Sequence, residues 1–432
     1  MPKVSKELKP FWTTKDGRTV VLYHGDVLET LRKMPTGSVH CVVTSPPYWG
    51  LRAYLKDGHA DKALEIGSEK TPQEFVEKMV AVFREVRRVL RDDGTCYLNL
   101  GDSYGSTGNN NGTGASTLRG DLGGGVNEPG RQGRLKPSVS CSTGLKSGNL
   151  VGIPWRVALA LQADGWILRQ DIVWSKPSPM PESVRNRCTK AHEYIFLLVK
   201  RMGYFYDAEA IKEKDVPTVR YTKEGGRMCY QNVIASFGKK PTGNAIPGSV
   251  MVTGDSRNKR SVWTVAGQGY EGSHFACFPP KLIEPCILAG TSEKGCCAQC
   301  GAPWKRVVEK VNGEQIKGDS GYKRDRSFRA SRNGVDSTLD GGIGNTRTVG
   351  WEPGCACDAG VVPCTVLDPF VGSATTCCVS IAHGRRSIGI DLSKKYLRDN
   401  AVVRIEGELI KRPADAHLTG KQGKRLSIGK AV

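Results

Sequence analysis

An apolar run at residues 39–43 is brought to a stop in this chain by two adjacent prolines, Pro46 and Pro47. The run has the composition of a buried strand, whereas a proline cannot donate a backbone hydrogen bond and fixes its φ angle. The strand must therefore end in a rigid turn that holds Ser45, the Pro46 carbonyl and the Tyr48 ring together. Open α/β sheets bind their ligands at the carboxyl ends of their strands. The segment predicts an α/β fold with a ligand site here, although alone it would also fit a strand that merely ends at a proline turn.

A second apolar strand, residues 366–368, runs into a turn of small residues much further along the chain. The turn contains Gly372 and Ser373 and leads into a segment that can start a helix. Such a turn lets the backbone approach a ligand and directs helix N-terminal N–H groups towards it. About twenty residues further on, another strand ends at Asp391, and in nucleotide-binding folds an acid at this offset hydrogen-bonds ribose hydroxyls. The pattern predicts a site for a nucleotide-like cofactor.

The two motifs together, Thr-Ser-Pro-Pro-Tyr-Trp at 44–49 and Asp-Pro-Phe-Val-Gly-Ser-Ala-Thr-Thr at 368–376, resemble those of the amino-methyltransferases of DNA. The signatures of that family are (Asp/Asn/Ser)-Pro-Pro-(Tyr/Phe/Trp) and Asp-Pro-Phe-x-Gly-Ser-Gly-Thr-Thr. The resemblance implies a Rossmann-like, S-adenosylmethionine-dependent methyltransferase fold with a mostly parallel central sheet. The catalytic motif precedes the cofactor turn, an order similar to the circularly permuted β group of the family. Ala374 departs from the family pattern, which has glycine there.

The resemblance also implies which residues form the site. The catalytic positions are Ser45, Pro46, Pro47 and Tyr48. The positions that contact S-adenosyl-L-methionine are Asp26, Asp368, Phe370, Gly372, Ser373, Thr375 and Asp391. Asp26 fits equally well as the N-cap of a helix that starts at residue 27, and both interpretations can hold. Lys176 and Glu193 are implied at the border of the pocket for the target base.

The implied chemistry is direct methyl transfer to an exocyclic amine of a base. Such an amine is a poor nucleophile because its lone pair is delocalised into the ring. If Ser45 Oγ and the Pro46 carbonyl accept its two hydrogens, the nitrogen moves towards tetrahedral geometry and its lone pair becomes available. The base must leave the duplex, with Tyr48 stacking on it. No nucleophilic cysteine is needed, and the Pro-Cys pair of a C5-cytosine enzyme does not follow this strand.

The target base and the activity itself stay open at this point. Serine at the first motif position is more typical of N4-cytosine enzymes, whereas aspartate or asparagine is more typical of N6-adenine enzymes. The sequence therefore favours a site-specific N4-cytosine DNA methyltransferase, with N6-adenine as the alternative. A further alternative is an inactive DNA-binding protein on the same fold, for which Ala374 is the only indication.

A net charge of +20 indicates a polyanionic partner, because lysine and arginine release counterions from phosphates. We expect this partner to be double-stranded DNA, in a restriction-modification system whose endonuclease does not have to contact this chain. No apolar stretch reaches the ~18 residues of a membrane span, and the first residues lack the apolar core of a signal peptide. The sequence thus predicts a cytoplasmic protein, bacterial or phage-encoded, without a membrane partner.

Two close pairs of cysteines have the spacing of metal ligands. They are Cys297, Cys300, Cys355 and Cys357. In a protein without a secretion signal, the fifteen cysteines should be reduced thiols or metal ligands. Four thiolates favour a tetrahedral structural zinc. Cys296 and Cys364 are competing ligands, and buried or incidental thiols are the alternative to a metal.

Composition and the family resemblance together divide the chain into segments with different predicted roles. They are a catalytic half at 15–202 with a flexible insertion at 104–149, a target-recognition region at 203–262, a cofactor-binding half at 270–292 and 362–408, a zinc-bound insertion at 295–358 and a basic tail at 409–432. The resemblance implies a target-recognition region between the catalytic and cofactor halves, and a charge-rich solvated loop is the alternative there. Within the catalytic half, apolar residues at helical spacing predict a helix over 71–91, ended by Gly94 and followed by a strand over 95–100.

Overall fold

The computed structural model describes residues 8–50, 55, 58–105, 145–146, 148–214, 221–224, 227–230, 256–268, 278–311 and 345–411. Most of the predicted insertion at 104–149 lies outside these described residues. So do the middle of the recognition region, residues 270–277, the centre of the cysteine-flanked insertion and the tail beyond residue 411.

The strands of the described residues come in the following chain order. They are β1 (Trp12–Thr13), β2 (Val20–His24), β3 (Val39–Thr44), β4 (Leu90–Leu100), β5 (Ile167–Ser175), β6 (His192–Val199), β7 (Glu213–Lys214), β8 (Tyr221–Glu224), β9 (Arg227–Tyr230), β10 (Ser256–Arg257), β11 (Val262–Thr264), β12 (Cys296–Cys297), β13 (Lys305–Val311), β14 (Asn345–Glu352), β15 (Val361–Val362), β16 (Thr365–Asp368) and β17 (Arg386–Asp391).

The helices are interleaved with these strands. They are α1 (Val27–Lys33), α2 (Pro72–Val89), α3 (Ile153–Ala163), α4 (Pro280–Gly290), α5 (Thr375–Ala382), α6 (Lys394–Tyr396) and α7 (Val403–Ile410), with 3-10 turns at Ala60–Leu64 and Glu209–Ile211 and a π-helical segment at Leu397–Val402.

Helix α2 confirms the helix predicted from periodicity. The Thr71 hydroxyl caps its first turn by accepting a hydrogen bond from the Glu74 N–H at 3.2 Å. Phe75, Met79 and Phe83 are fully buried along one face. Residues three and four apart on a helix share a face, so this spacing gives α2 one apolar stripe that packs on the sheet.

The predicted end of this helix at Gly94 is wrong. Helix α2 stops at Val89, and β4 begins at Leu90, so Gly94 lies inside the strand. A Cβ atom on Gly94 would lie 2.8 Å from the His40 carbonyl oxygen. Glycine is needed here because β3 and β4 approach each other closely, not because a helix ends.

Nine strands form one sheet in the order β1-β2-β17-β16-β3-β4-β6-β5-β11. The pairings β2–β17, β17–β16, β16–β3, β3–β4 and β5–β11 are parallel, whereas β1–β2, β4–β6 and β6–β5 are antiparallel. The central strand β3 is buried along its whole length, as expected for a strand of a parallel sheet covered on both faces. The predicted α/β fold with a mostly parallel sheet is confirmed.

Helices cover both faces of this sheet. On one face, Val39 and Val42 of β3 belong to the core that also contains the buried residues of α1, α2 and α3. On the other face, Cys41 and Val43 pack in a core with the apolar residues of α4, among them Leu282. Alternate residues of β3 therefore enter opposite cores, because successive side chains of a strand point to opposite faces.

The chain divides into two compact units. The first comprises Met1–Asp207, Arg260–Trp304 and Pro353–Val432, and the second comprises Ala208–Lys259 and Lys305–Glu352. The second unit contains the antiparallel pairs β7–β10, β8–β9 and β13–β14. Residues between the two cysteine pairs thus group with much of the predicted recognition region, whereas the cysteines themselves belong to the first unit. Within the part of the chain that the structure describes, no helix has the length and apolarity to cross a membrane.

Candidate active site

Asp368, at the end of β16, joins the two motifs that lie far apart in the sequence. Its Oδ1 accepts a hydrogen bond from the Thr44 hydroxyl at 2.7 Å, and its Oδ2 accepts one from the Thr376 hydroxyl at 2.7 Å. The Phe370 N–H donates to Oδ1 at 3.0 Å. Burial raises the pKa of Asp368 to about 6, although these hydrogen bonds oppose the rise. A buried carboxyl group therefore holds the end of the proline-motif strand against the start of α5.

The turn between β16 and α5 is tied to the neighbouring strand by Asp391. One carboxylate oxygen of Asp391 accepts a hydrogen bond from the Gly372 N–H at 3.0 Å, and the other accepts one from the Ser393 N–H at 2.7 Å. Burial raises the pKa of Asp391 to about 6. Gly372 has a φ of 48° and Ala374 a φ of 62°, both in the left-handed region. Alanine is strained there by roughly 1–2 kcal/mol, so Ala374 adopts a backbone conformation that glycine would adopt without strain.

Arg404 was not found from the sequence, yet it holds the same turn. From α7 it donates to the Ser373 carbonyl oxygen at 2.8 Å, to Ser373 Oγ at 2.8 Å and to Thr375 Oγ1 at 2.9 Å. Both hydroxyl oxygens belong to predicted cofactor residues. No spacing rule pointed to Arg404, because it follows the turn by about thirty residues and lies in an amphipathic helix where a cation normally faces solvent.

Asp26 caps helix α1, as one of its two interpretations predicted. Its carboxylate accepts a hydrogen bond from the Glu29 N–H at 2.9 Å. The same residue follows β2, which pairs in parallel with β17, so Asp26 and Asp391 come from the same end of neighbouring strands. Asp26 can therefore cap α1 and also lie near a cofactor bound at Asp391, so the predicted contact with the cofactor stays a prediction.

Tyr48 is anchored at both its ring and its hydroxyl group. The hydroxyl lies 2.7 Å from Glu193 Oε2 and 3.0 Å from Asn99 Oδ1, and the Ser45 hydroxyl donates to it at 3.3 Å. The ring lies against Gly101, where a Cβ atom would be only 2.5 Å from Tyr48 Cε2. Sequence reasoning missed Asn99 and Gly101, which become neighbours of the motif only through the parallel pairing of β3 with β4.

Lys176 and Glu193 form an ion pair beside this tyrosine. The Lys176 ammonium also lies 4.3 Å from the centre of the Trp174 ring, a distance at which the cation is attracted to the ring face. The Asn99 side chain amide donates to Glu193 Oε2 at 3.3 Å and to the Tyr194 carbonyl oxygen at 3.0 Å. The polar groups around Tyr48 thus form one connected network from β4, β5 and β6.

All of the predicted catalytic and cofactor residues line one cavity of about 610 Å³ in the first unit. They are Asp26, Ser45, Pro46, Pro47, Tyr48, Asp368, Phe370, Gly372, Ser373, Thr375 and Asp391. Asn99, Lys176 and Glu193 line the same cavity. The carboxyl ends of β2, β17, β16, β3 and β4 meet here, which is where open α/β sheets bind ligands. The structure brings the predicted residues together, and their individual roles stay predictions.

The four predicted metal ligands also come together, away from this cavity. The sulfur atoms of Cys297, Cys300, Cys355 and Cys357 all lie within 4.8 Å of one another. The competing cysteines, Cys296 and Cys364, instead form a separate group with His40.

Comparison with known proteins finds a family model and relatives that match most of this chain. The family model for DNA methylases of the N6/N4 type matches residues 39–298 and 364–402. The Type II methyltransferase M.Cfr9I of Citrobacter freundii is 35% identical over 387 residues, which cover 90% of this chain and 88% of that protein. The Type II methyltransferase M.XycI of Xanthomonas campestris pv. cyanopsidis is 42% identical over 274 residues, 63% of this chain and 73% of that protein.

Among solved structures, PvuII DNA methyltransferase, described as cytosine-N4-specific, aligns with a TM-score of 0.47 and 15% identity. The alignment covers 92% of this chain and 88% of that chain.

Proposed function

The chain belongs to the N6/N4 family of DNA methylases, and within it we propose that this protein methylates the N4 amine of cytosine in double-stranded DNA at a specific sequence. One observation carries the proposal. Ser45 and Pro46, after β3, face the same cavity as the 372–375 turn and Asp391. A base held by the first pair of residues and a cofactor held by the second set would meet inside one cavity, which places the reacting groups together as direct transfer requires.

The proposed cofactor is S-adenosyl-L-methionine, and the residues present fit it. The buried Asp368 and the half-buried Asp391 lie in the cavity wall with pKa values raised to about 6, so a cationic ligand would relieve the cost of charging them. Phe370 and Ile390 provide apolar wall for a purine, and Gly372 allows close approach of the backbone. When bound, this cofactor supplies an electrophilic methyl group on a sulfonium.

The residues of the chain would prepare the amine in two ways. Ser45 Oγ and the Pro46 carbonyl oxygen accept its two hydrogens, which draws the nitrogen towards tetrahedral geometry. The Ser45 hydrogen itself points at the Tyr48 hydroxyl, 3.3 Å away, so the lone pairs of Oγ remain for the amine. The preorganised acceptors lower the barrier without a covalent intermediate with the protein.

A proton must leave the amine when the new N–C bond forms, and a hydrogen-bond chain supports a route for it. The chain runs from Ser45 Oγ to the Tyr48 hydroxyl and on to Glu193 Oε2 at 2.7 Å. The amine proton passes to Ser45 while the serine proton moves to Tyr48 and the tyrosine proton to Glu193. The Glu193 carboxylate ends as a neutral acid beside Lys176, and no other co-reactant is required.

The preference for cytosine has two supports. Serine at position 45 is the residue typical of N4-cytosine enzymes in this family. In addition, the Lys176 ammonium lines the cavity beside the proline motif. On its Watson–Crick edge, cytosine offers two acceptors, N3 and O2, next to its amine, whereas adenine offers only N1 there. A donor beside the amine finds a ring-nitrogen acceptor on either base, but only cytosine offers the same cation a second acceptor, O2, and this supports cytosine.

The remaining parts of the proposal concern organisation. The proposed permuted β arrangement is supported by the catalytic strand β3 preceding β16 in the chain while pairing directly with it in the sheet. We assign target recognition to residues 203–262, many of which belong to the second compact unit. The net charge of +20 supports DNA as the partner, and the Type II names of the relatives support a place in a restriction-modification system.

Transfer of a labelled methyl group from S-adenosylmethionine to unmethylated DNA tests the activity, and nucleoside analysis of the product names the base. We expect N4-methylcytosine in the wild-type product. Exclusive N6-methyladenine would overturn the choice of base while leaving the family chemistry intact. Absence of transfer to any DNA containing all possible short sequences would overturn the activity.

A further inference from the structure

Four cysteine side chains from two distant chain segments converge on one point of the first unit. Cys297 ends β12, Cys300 follows in the next turn, and Cys355 and Cys357 come after β14. Their four sulfur atoms lie within 4.8 Å of one another, and all four cysteines are free of disulfide bonds. From this geometry we propose that the four cysteines bind one structural zinc ion.

The spacing of the sulfur atoms suits zinc. Zinc bound by four thiolates is tetrahedral with Zn–S bonds of about 2.3 Å, which places neighbouring sulfur atoms roughly 3.8 Å apart. The four sulfur atoms, all within 4.8 Å of one another, lie in a range that includes this spacing. Soft thiolate ligands in a tetrahedral set select zinc over magnesium, calcium or manganese.

Backbone N–H groups lie close to the sulfur atoms. Those of Gln299 and Cys300 are near Cys297 Sγ, and that of Cys357 is near Cys355 Sγ. Four thiolates around a dication carry a net charge of −2, and such donors stabilise the excess negative charge. The turns that carry the cysteines therefore have the polarity that a metal-thiolate centre requires.

Glycines shape both turns of the cluster. Gly301 has a φ of 72°, and a Cβ atom there would lie 2.6 Å from Arg91 Nη1. A Cβ atom on Gly354 would lie 2.2 Å from the Pro303 carbonyl oxygen, which no side-chain motion can relieve. The two segments can therefore approach closely enough to share one ion only because both positions lack a side chain.

The neighbouring group of His40, Cys296 and Cys364 is not a second metal site. His40 Nδ1 accepts a hydrogen bond from the Thr365 N–H at 3.0 Å, which makes Nε2 the protonated nitrogen. Nε2 then donates to the Gly301 carbonyl oxygen at 2.9 Å. With both ring nitrogens committed, His40 has no lone pair left for a metal.

His40 and Arg91 instead connect the proposed zinc site to the central sheet. His40 lies on β3 and holds the Gly301 carbonyl, whereas Arg91 lies on β4 and donates to the Cys300 carbonyl oxygen at 2.7 Å. Both residues are near the amino ends of their strands, and none of the four cysteines is among the described residues that line the cavity. The ion therefore acts on stability, by clamping the chain on either side of residues 305–352, and takes no part in the chemistry.

Elemental analysis of protein purified without added metal tests the proposal directly. We expect about one zinc per chain in the wild type, and its loss from Cys297→Ser and Cys355→Ser. Cys188→Ser is the matched control, because Cys188 is an exposed free cysteine outside both cysteine groups. It should retain the full zinc content.

A measurement on the wild-type chain covers the case in which the cysteine variants fail to fold. Stepwise modification of the folded protein with a mercurial thiol reagent should release its zinc as about four thiols react, and the melting temperature should fall with the release. A zinc content near zero, a Cys297–Cys355 or Cys300–Cys357 disulfide in the peptide map, or stoichiometric iron with sulfide would each overturn the proposal. These readouts are independent of methyl transfer, so the zinc site and the proposed activity can fail separately.

Discussion

The hydroxyl group of Tyr48 lies 2.7 Å from Glu193 Oε2, a contact that joins the proline motif to an antiparallel strand of the same sheet. Tyr48 follows β3, whereas Glu193 belongs to β6, and β4 lies between the two strands. The contact fixes the direction of the Tyr48 ring. It also holds the Tyr48 hydroxyl where it accepts a hydrogen bond from the Ser45 hydroxyl. The proposed catalytic residues are thus positioned partly by β4 and β6, which carry neither of the two sequence motifs.

Ser45→Ala should lower kcat for methyl transfer at least about tenfold, because it removes an acceptor that acts in the transition state. The dissociation constant for S-adenosylmethionine should change little, since Ser45 belongs to the base side of the cavity. Steady-state kinetics measures kcat, and calorimetric titration measures the dissociation constant. Full activity in this variant would falsify the role of Ser45.

Gly101→Ala should displace the Tyr48 ring, because the new Cβ atom would lie 2.5 Å from Cε2. We expect kcat/KM for DNA to fall about ten- to hundredfold, since small misplacements at a reacting centre have effects of this order. Gly407→Ala in α7 is the control, because a Cβ atom there meets nothing within 4 Å. It should retain activity, and an equal loss in both variants would contradict the steric explanation.

Arg404→Ala should weaken S-adenosylmethionine binding roughly tenfold, because three hydrogen bonds from a cation to the 373–375 turn are lost. At saturating cofactor, kcat should stay close to that of the wild type. Arg398→Ala is the control, since Arg398 is exposed and pairs only locally with Asp399. A fall in kcat with an unchanged dissociation constant would show that Arg404 does not act through the cofactor turn.

Cofactor affinity should decrease as the pH falls through about 6. Burial raises the pKa of Asp368 and that of Asp391 from 3.8 to about 6. Protonation of these two carboxyl groups therefore stabilises the folded state. The stabilisation is fully present below 3.8, their pKa in the unfolded chain, and is lost as the pH rises through about 6, their pKa in the folded chain. A sulfonium cation favours the charged carboxylates, so its binding must release the protons that they hold below pH 6.

Calorimetric titration at about pH 7.5 and about pH 5.5 tests this linkage. S-adenosylmethionine should lose more affinity on acidification than S-adenosylhomocysteine, which lacks the sulfonium charge. Asp368→Asn keeps acceptors for Thr44 and Phe370 but cannot titrate, so it should flatten the difference. Equal pH dependence for the two ligands would contradict the assignment.

Affinity for DNA of any sequence should fall steeply with salt, because a chain of net charge +20 gains much of its binding free energy from phosphates. A plot of log K against log[salt] should have a slope of several units. Neutralising Lys239 and Lys240, which lie outside the described residues, should reduce that slope by about two units without changing the methylated base. Salt-independent binding would point to a different partner for the basic surface.

Local patterns in the sequence were sufficient to predict helix α2, the end of β3 and the cysteine group. The periodicity of residues 71–91 predicted α2, because an amphipathic stripe depends only on spacing along the helix. The proline pair predicted where β3 ends, since it blocks the ladder whatever the rest of the chain does. The cysteine spacing predicted the group of Cys297, Cys300, Cys355 and Cys357. Each pair depends only on a short turn, so its spacing can be recognised from the sequence.

The sequence failed where two distant strands decide what a residue does. Gly94 was predicted to end a helix, yet it lies inside β4. A glycine is needed at this position because the His40 carbonyl oxygen of β3 lies 2.8 Å from where a Cβ atom would be. Asn99 and Arg404 carry no local pattern, and each became part of the site only when strand pairing or helix packing brought it there.

The sequence by itself indicated the family, the α/β class and the residues that line the cavity, because each rests on short-range chemistry of neighbouring residues. Only the tertiary structure decided that Asp368 links Thr44 to Thr376, that Glu193 anchors Tyr48 and that His40 holds the Gly301 carbonyl. Those contacts depend on strand order and register. Strand order and register are properties of the whole buried sheet, which no single segment of the chain encodes.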